Sequence, residues 1–451
     1  MENNNVSKST VLSIVAVALV TFSGIMAETS MNVTFTLLAK QFGTDLNTIQ
    51  WVTTAYLLSV TIMITTSAHL VKKYSLRNLW LTSIAIFIVG TLIGGTAPNL
   101  WILLLGRILE GIAAGIAMPL SFNIVMYTVP SAKIGTWMGV SSMVVSLAPS
   151  FGPTYGGLIL DLLGWRAIFF ILLIAPIASL IIGWRTVLDV NPRVKTHTFD
   201  LLAFGLLAGT LTLSLLIVNQ LEGSQINWGA AGLWLAMLCL FIWRGMRSKQ
   251  SFLDLGLFLD LRFVRMFIPI ALYMFAMLGL NLIIPTFSEN VLRTSSFIAG
   301  FLLLPGSLVG AFMNPLFGKM YDQYGPKQSV YLGNVIFMVA VLLMFGLRNW
   351  LGLWILIIMY IVFIIGRNMA YNSAQTEAIA TQPQVKQSDA TAIIQTFQMF
   401  MGALGTTVGA LFQSKFGVAN GLHNFTLLAI GIAIINGGLF WRYFKNNQLK
   451  Q

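Results

Sequence analysis

The chain has 451 residues, 57% of them hydrophobic and only 9% charged, proportions far from those of a soluble globular protein. Its net charge of +12 would imply a nucleic-acid or anionic partner only if the basic residues clustered on a soluble face or tail; here they are scattered between apolar runs, and no nucleic-acid partner is expected. One cysteine, Cys239, lies inside an apolar run, which excludes an intrachain disulfide and a cysteine-based metal centre.

The polar start, MENNNVSKST, leads into an apolar run too long for a signal-peptide core, without a small-residue cleavage site, so no cleavable signal is expected. Runs long enough to span a bilayer, roughly 18 to 20 residues each, fall near 11–37, 48–71, 79–97, 99–126, 135–160 and 167–184. A polar connection with Arg185, Arg193 and Lys195 follows, then runs near 200–220 and 228–246 and an amphipathic segment over 251–266. The remaining runs lie near 267–287, 296–319, 329–347, 351–371, 390–414 and 424–443. The expectation is an all-α polytopic membrane protein with fourteen transmembrane helices, its two ends on one side. With both ends in the cytoplasm, 19 of the 26 Lys and Arg face inward, 5 face outward and 2 (Arg107, Arg367) lie within spans, the asymmetry of the positive-inside rule.

Ionisable groups inside spans are costly and therefore functional candidates. Glu28 stands about 17 residues into the first span, roughly 25 Å from its inner end at ~1.5 Å per residue. Desolvation there favours the protonated carboxyl, so the group can be loaded with a proton at one face and emptied at the other. A lipophilic cation competing for the same carboxylate would couple its own movement to that of the proton. Arg107 and Glu110, three apart in the fourth span, share a helix face and can pair with each other or join Glu28 in a relay. Arg367 follows Gly366 as Arg107 follows Gly106, but lies deeper in its span, and is read as a snorkelling or lock-forming residue. Glu377 and Asp389 lie near span ends.

The stretch Ser146 to Gly157, SLAPSFGPTYGG, carries Pro149, Gly152, Pro153, Gly156 and Gly157 within a span. Membrane helices tolerate such residues, and glycines four apart present a smooth face to another helix. The order Gly152-Pro153-x-x-Gly156-Gly157 in a fifth span resembles the antiporter motif of the major facilitator superfamily. The loop after the tenth span, with Gly318, Asp322, Gly325 and Lys327, resembles that superfamily's inter-helix signature. Its counterpart after the second span has Ala68, Lys72 and Ser75 where Gly, Asp and Gly stand, and Lys72 is not expected to form the lock that Asp322 can form with helix-start amides or a basic residue. Gly106-Arg107 resembles the family's fourth-helix motif, and Glu28 ahead of Asn32 resembles the first helix of the fourteen-helix drug:proton antiporters.

That resemblance implies a major facilitator fold of 6 + 2 + 6 helices: an N-terminal bundle over 1–190, two inserted helices over 191–250, and a linker with a C-terminal bundle over 251–451. It implies a monomer in the bacterial cytoplasmic membrane that exports lipophilic, cationic drugs or dyes in exchange for protons, with no cofactor beyond the proton gradient. Proton coupling falls to Glu28, Arg107 and Glu110. A substrate site would draw on Glu28, Asn32, Trp51, Tyr56, Asn123, Tyr273, Met277 and Asn281, since ring faces and thioethers suit flat cations; Phe122 belongs to the same set. No phosphate-binding loop is present, and His69, His197 and His423 stand apart from one another without metal-ligand spacing. Two other readings stay open: a proton-coupled transporter of one metabolite, and a non-transporting membrane sensor or membrane-embedded enzyme.

Overall fold

In hydrocarbon a backbone must satisfy its own hydrogen bonds, so long apolar runs fold as helices. The computed structural model describes residues 6–187, 189–190, 199–220, 227–247 and 253–448, and these contain helices and no strand. Arg193, Lys195 and His197 lie outside the described residues.

The first compact unit comprises Met1–Ser131, Val144–Phe199 and Gln384–Ala392. Its chain opens with α1 (Lys8–Ser30), capped by the Ser7 side chain, and runs through a 3-10 turn at Met31–Thr34 into α2 (Phe35–Phe42), which ends at Gly43 in a left-handed conformation. A short α3 (Leu46–Ile49) leads to α4 (Trp51–Lys73), α5 (Leu76–Gly95) and α6 (Leu100–Thr128), the last two capped by Ser75 and Asn99. Then come α7 (Ile134–Leu163), α8 (Trp165–Leu172) and α9 (Ile174–Gly183). A buried chain of hydrogen bonds ties three helices: Trp80 Nε1 of α5 donates to Ser179 Oγ of α9 at 3.0 Å, and Ser179 donates to Ala16 O of α1 at 2.5 Å. Glycines bring α5 and α6 into backbone contact. A Cβ on Gly106 would stand 2.6 Å from Gly94 N, and one on Gly90 would stand 2.8 Å from Glu110 N.

The second unit comprises Ala132–Met143, Asp200–Pro383 and Ile393–Gln451. It holds α10 (Leu201–Gln220) and α11 (Trp228–Arg247), a 3-10 turn at Leu255–Leu259, α12 (Leu261–Asn290), α13 (Ser296–Phe301), α14 (Leu304–Gly346), α15 (Leu353–Ala380), α16 (Gln384–Phe416) and α17 (Val418–Gln448). The first turns of α7 belong to this unit and those of α16 to the other. Asp200 caps α10 and accepts from Arg244 Nε of α11 at 2.9 Å, while Trp234 donates to Ser214 at 2.6 Å, so the α10–α11 hairpin is pinned at two levels.

Eleven helices among the described residues are long and apolar enough to cross a membrane. Three features separate that number from the fourteen runs expected from hydropathy. Helix α14 is continuous over two of those runs, broken only at Gly325 (φ 78°). Of α10 (Leu201–Gln220) the side chains are described continuously only over Leu201–Ser214, so it is not among the eleven. Helix α16 carries Gln384, Lys386, Gln387, Asp389 and Gln395, which lower its mean hydropathy below that of a lipid-facing span.

Candidate functional site

In the first unit the Arg107 side chain is fully buried, and its charge is met from three sides. Nη1 donates to Glu110 Oε2 at 2.6 Å, Nε donates to Val52 O of α4 at 3.1 Å, and the guanidinium stacks over the Tyr56 ring at 4.3 Å. The second oxygen of Glu110 accepts from Thr91 of α5 at 2.8 Å, which the glycine contacts of α5 and α6 make possible. Tyr56 is itself fixed by donating to Gly24 O of α1 at 2.7 Å. One donor, Arg107 Nη2, is buried with no partner. The Arg107–Glu110 pair is therefore braced by two further helices, with one guanidinium donor left over.

Glu28 is half-buried in α1, within electrostatic reach of Arg107 and Tyr56, and among the described residues no group hydrogen-bonds to it. The glycines of α7 press on the next residues of α1. A Cβ on Gly152 would collide with Thr29, and one on Gly156 with the Ser30 backbone, whereas Gly157 faces open space. Pro149 and Pro153 lie on the exposed side of α7. The antiporter-like stretch thus abuts the turn of α1 that carries Glu28.

The two inter-helix loops carry charges of opposite sign. Asp322 accepts from the backbone amides of Gly135 and Thr136 at 2.7 Å each and from Thr136 Oγ1 at 2.5 Å, so its carboxylate caps the start of α7. Gly318 allows that approach, because a Cβ there would meet Gly135 and Thr136. Gly325 holds the left-handed turn that follows, and Lys327 is exposed. Lys72 cannot cap a helix start as Asp322 does, but it has an ionic partner of its own. Its ammonium is bonded to the fully buried carboxylate of Asp389 in the first turns of α16. Reversing the charge on the loop is matched by an acid on the facing helix, a partner 317 residues away that no local pattern reveals.

The residues proposed to line a substrate site divide between the units. In the first, Trp51 is exposed, Asn32 is exposed and accepts from Thr53 at 3.0 Å, Phe122 is buried, and Asn123 is buried with neither end of its amide partnered. In the second, Tyr273 is fully buried and donates to Asn334 at 2.5 Å. Met277 is half-buried, and Asn281 accepts from Tyr360 at 2.7 Å. Arg367 neither snorkels nor forms a lock: it is buried in the middle of α15, with its guanidinium 4.0 Å from the centre of the Tyr371 ring. Glu377, farther along α15, accepts from Tyr321 at 2.7 Å and Tyr443 at 2.6 Å.

Thr91 carries no signal in the sequence, and Asp389 stands out there only as an acid near a span end; the partner of each is set by helix packing. A cavity of about 930 Å³ on the second unit, bordered by Leu211 and Trp234 of the hairpin, Phe258, and Phe397 and Phe400 of α16, was equally illegible. No cluster of His, Cys, Asp and Glu suited to a metal occurs among the described residues. His69 packs on Phe199 and His423 on Phe345.

The Major Facilitator Superfamily model matches residues 17–406. The lincomycin resistance protein LmrB of Listeria monocytogenes is 30% identical over 399 residues, covering 87% of this chain and 84% of that protein. The multidrug resistance protein Stp of Mycobacterium tuberculosis is 27% identical over 350 residues, covering 75% of this chain and 64% of that protein. Among solved structures, the human organic anion transporter MFSD10 superposes with a TM-score of 0.68 at 14% identity, over 95% of this chain and 99% of that one, a likeness of fold. Apolar helices in this number, glycine-mediated helix contacts and a family match over most of the length leave one conclusion: the chain belongs to the Major Facilitator Superfamily, a multi-pass transporter of the bacterial cytoplasmic membrane and not an enzyme.

Proposed function

We propose that this transporter is a drug:proton antiporter of the fourteen-helix kind, exporting lipophilic cationic compounds by alternating access. Glu28 is the observation that carries the reading: a half-buried carboxylate inside a membrane-spanning helix, next to Arg107 and hydrogen-bonded to no described group. A carboxylate so placed is open to either a proton or a cation, and mutual exclusion at one charge is the basis of exchange. Arg107 is held in place by Glu110, so its guanidinium acts as a fixed neighbouring charge that biases Glu28 instead of passing a proton along. Resistance proteins among the relatives support drugs as the cargo.

The proposed topology counts α14 as two spans divided at Gly325 and adds α10 and α16, which brings the eleven apolar helices to fourteen in a 6 + 2 + 6 order with both ends in the cytoplasm. The Asp322 cap and the Lys72–Asp389 pair serve as locks that break and reform as the protein changes state. No cofactor is needed, and a monomer suffices.

The test uses proteoliposomes with an imposed pH gradient and the planar cation rhodamine 6G, comparing the native chain with Glu28→Gln and Glu110→Gln. Gradient-driven uptake lost in Glu28→Gln, with gradient-free exchange retained, assigns proton coupling to Glu28. Equal transport by all three removes Glu28 from the mechanism. If the native chain moves no cation, the drug reading yields to that of a specific metabolite.

A further inference from the structure

Arg367 is 5% exposed, in the middle of a helix that crosses the membrane, and among the described residues it forms no ion pair. An unpaired buried charge is costly, and intramembrane cations are ordinarily paired or hydrogen-bonded. The contrast with Arg107 is sharp, since that residue has Glu110 within 2.6 Å. What surrounds Arg367 is aromatic and neutral. The Tyr371 ring lies against the guanidinium, Tyr273 and Tyr360 are within electrostatic reach, and Nη1 donates to Asn368 Oδ1 at 2.9 Å.

The other edge of the guanidinium is the informative one. Nε is buried with no partner, and Nη2 meets only the sulfur of Met274, a weak acceptor on a half-buried, flexible side chain. Nε–H and the adjacent Nη2–H are parallel donors in the fork that matches a carboxylate bidentately. Swinging the Met274 thioether aside frees both at once. The Tyr371 ring beside the guanidinium is suited to an aromatic body behind the acid.

We infer that the Nε–Nη2 edge of Arg367, gated by Met274 and set beside the Tyr371 ring, is a binding subsite for the carboxylate of an aromatic or otherwise apolar acid. The inference rests on the transporter reading for its purpose and extends the cargo to compounds bearing an acidic group, zwitterions among them. Its site lies wholly within the second unit.

The test is thermal unfolding of the purified full-length chain in detergent micelles, with sodium benzoate, its neutral isostere benzamide, and sodium chloride at matched ionic strength. Benzoate at saturation is expected to raise the midpoint by about 3 °C or more, with no comparable effect of benzamide or chloride. Arg367→Gln should lose that response, and Arg367→Lys, which keeps the charge but not the fork, should retain part of it. Should Arg367→Gln fail to fold, Met274→Ala takes its place: removing the competing sulfur should lower the benzoate concentration at half-effect severalfold. Equal shifts from benzoate and benzamide, a shift that only follows ionic strength, or an undiminished benzoate response in Arg367→Gln would each overturn the proposal. Because binding is read without a gradient, failure of cation transport leaves this result standing, and absence of the benzoate shift leaves the Glu28 reading standing.

Discussion

The Lys72 ammonium is bonded to the buried Asp389 carboxylate, giving the first inter-helix loop an ion pair where the second has Asp322 capping the start of α7. Asp389 is fully buried while Lys72 is one-fifth exposed, so the two ends of the pair are not equivalent. Lys72→Met removes the cation from a desolvated carboxylate and should cost about 2 kcal/mol, less than a wholly buried pair because water screens the Lys end. Adding Asp389→Asn should recover most of that loss. Thermal unfolding of the two single variants and the double variant in detergent checks it; additive losses would mean that the pair contributes nothing.

Arg107 and Glu110 are both fully buried, so truncating either one strands the other. Arg107→Met alone should destabilise the fold by about 3 kcal/mol, and Arg107→Met combined with Glu110→Leu by clearly less, since a neutral pair carries no desolvation penalty. A double variant as unstable as the sum of the singles would count against an interacting pair.

Two glycines of the same stretch should behave differently. Gly156 lies against the Ser30 backbone, so Gly156→Ala must displace α1 or α7 and should cost about 1 to 3 kcal/mol. Gly157 faces open space, and Gly157→Ala should fall within about 0.5 kcal/mol of the native chain or gain slightly from helix propensity. Parallel unfolding curves decide between this contrast and a motif in which both glycines matter alike.

Asp260, which caps α12, has its carboxyl held below the usual carboxylate range. Burial pushes it up, but the Arg262 amide and guanidinium and the Gln382 amide together outweigh that effect. A depressed folded-state pKa contributes stability that is present above the unfolded value, near 3.8, and is lost as pH falls through the folded value. Asp260→Ala should therefore cost about 1 kcal/mol at pH 7. That cost should persist to pH 5 and shrink only below about pH 4, measured as the difference in unfolding midpoint across that range.

Gly325 adopts φ 78°, where the chain turns within α14. A side chain is strained in that region, and Gly325→Ala should cost roughly 1 kcal/mol even though nothing crowds the site. An unchanged midpoint would mean that the turn relaxes without loss.

Hydropathy alone determined that this chain is helical and membrane-spanning, because a bilayer admits few other solutions and each helix is specified by some twenty consecutive residues. The glycines of α7 and the acid of α1 were legible for a similar reason: an unusual residue inside an apolar run stands out without any knowledge of its neighbours. Pairing was not legible. Arg107 had a local candidate in Glu110, three residues on, but the sequence left Glu28 equally eligible, and only the packing of α5 and α4 around the pair settled it. Lys72 reads in the sequence only as a cation that cannot cap a helix start, because its partner is remote, and Arg367 reads as a snorkelling or lock-forming residue, because hydropathy records depth along a helix but not what faces it. The strength of a charge in a membrane depends on what desolvates and what neutralises it, and both are decided by helices that meet only in the folded chain.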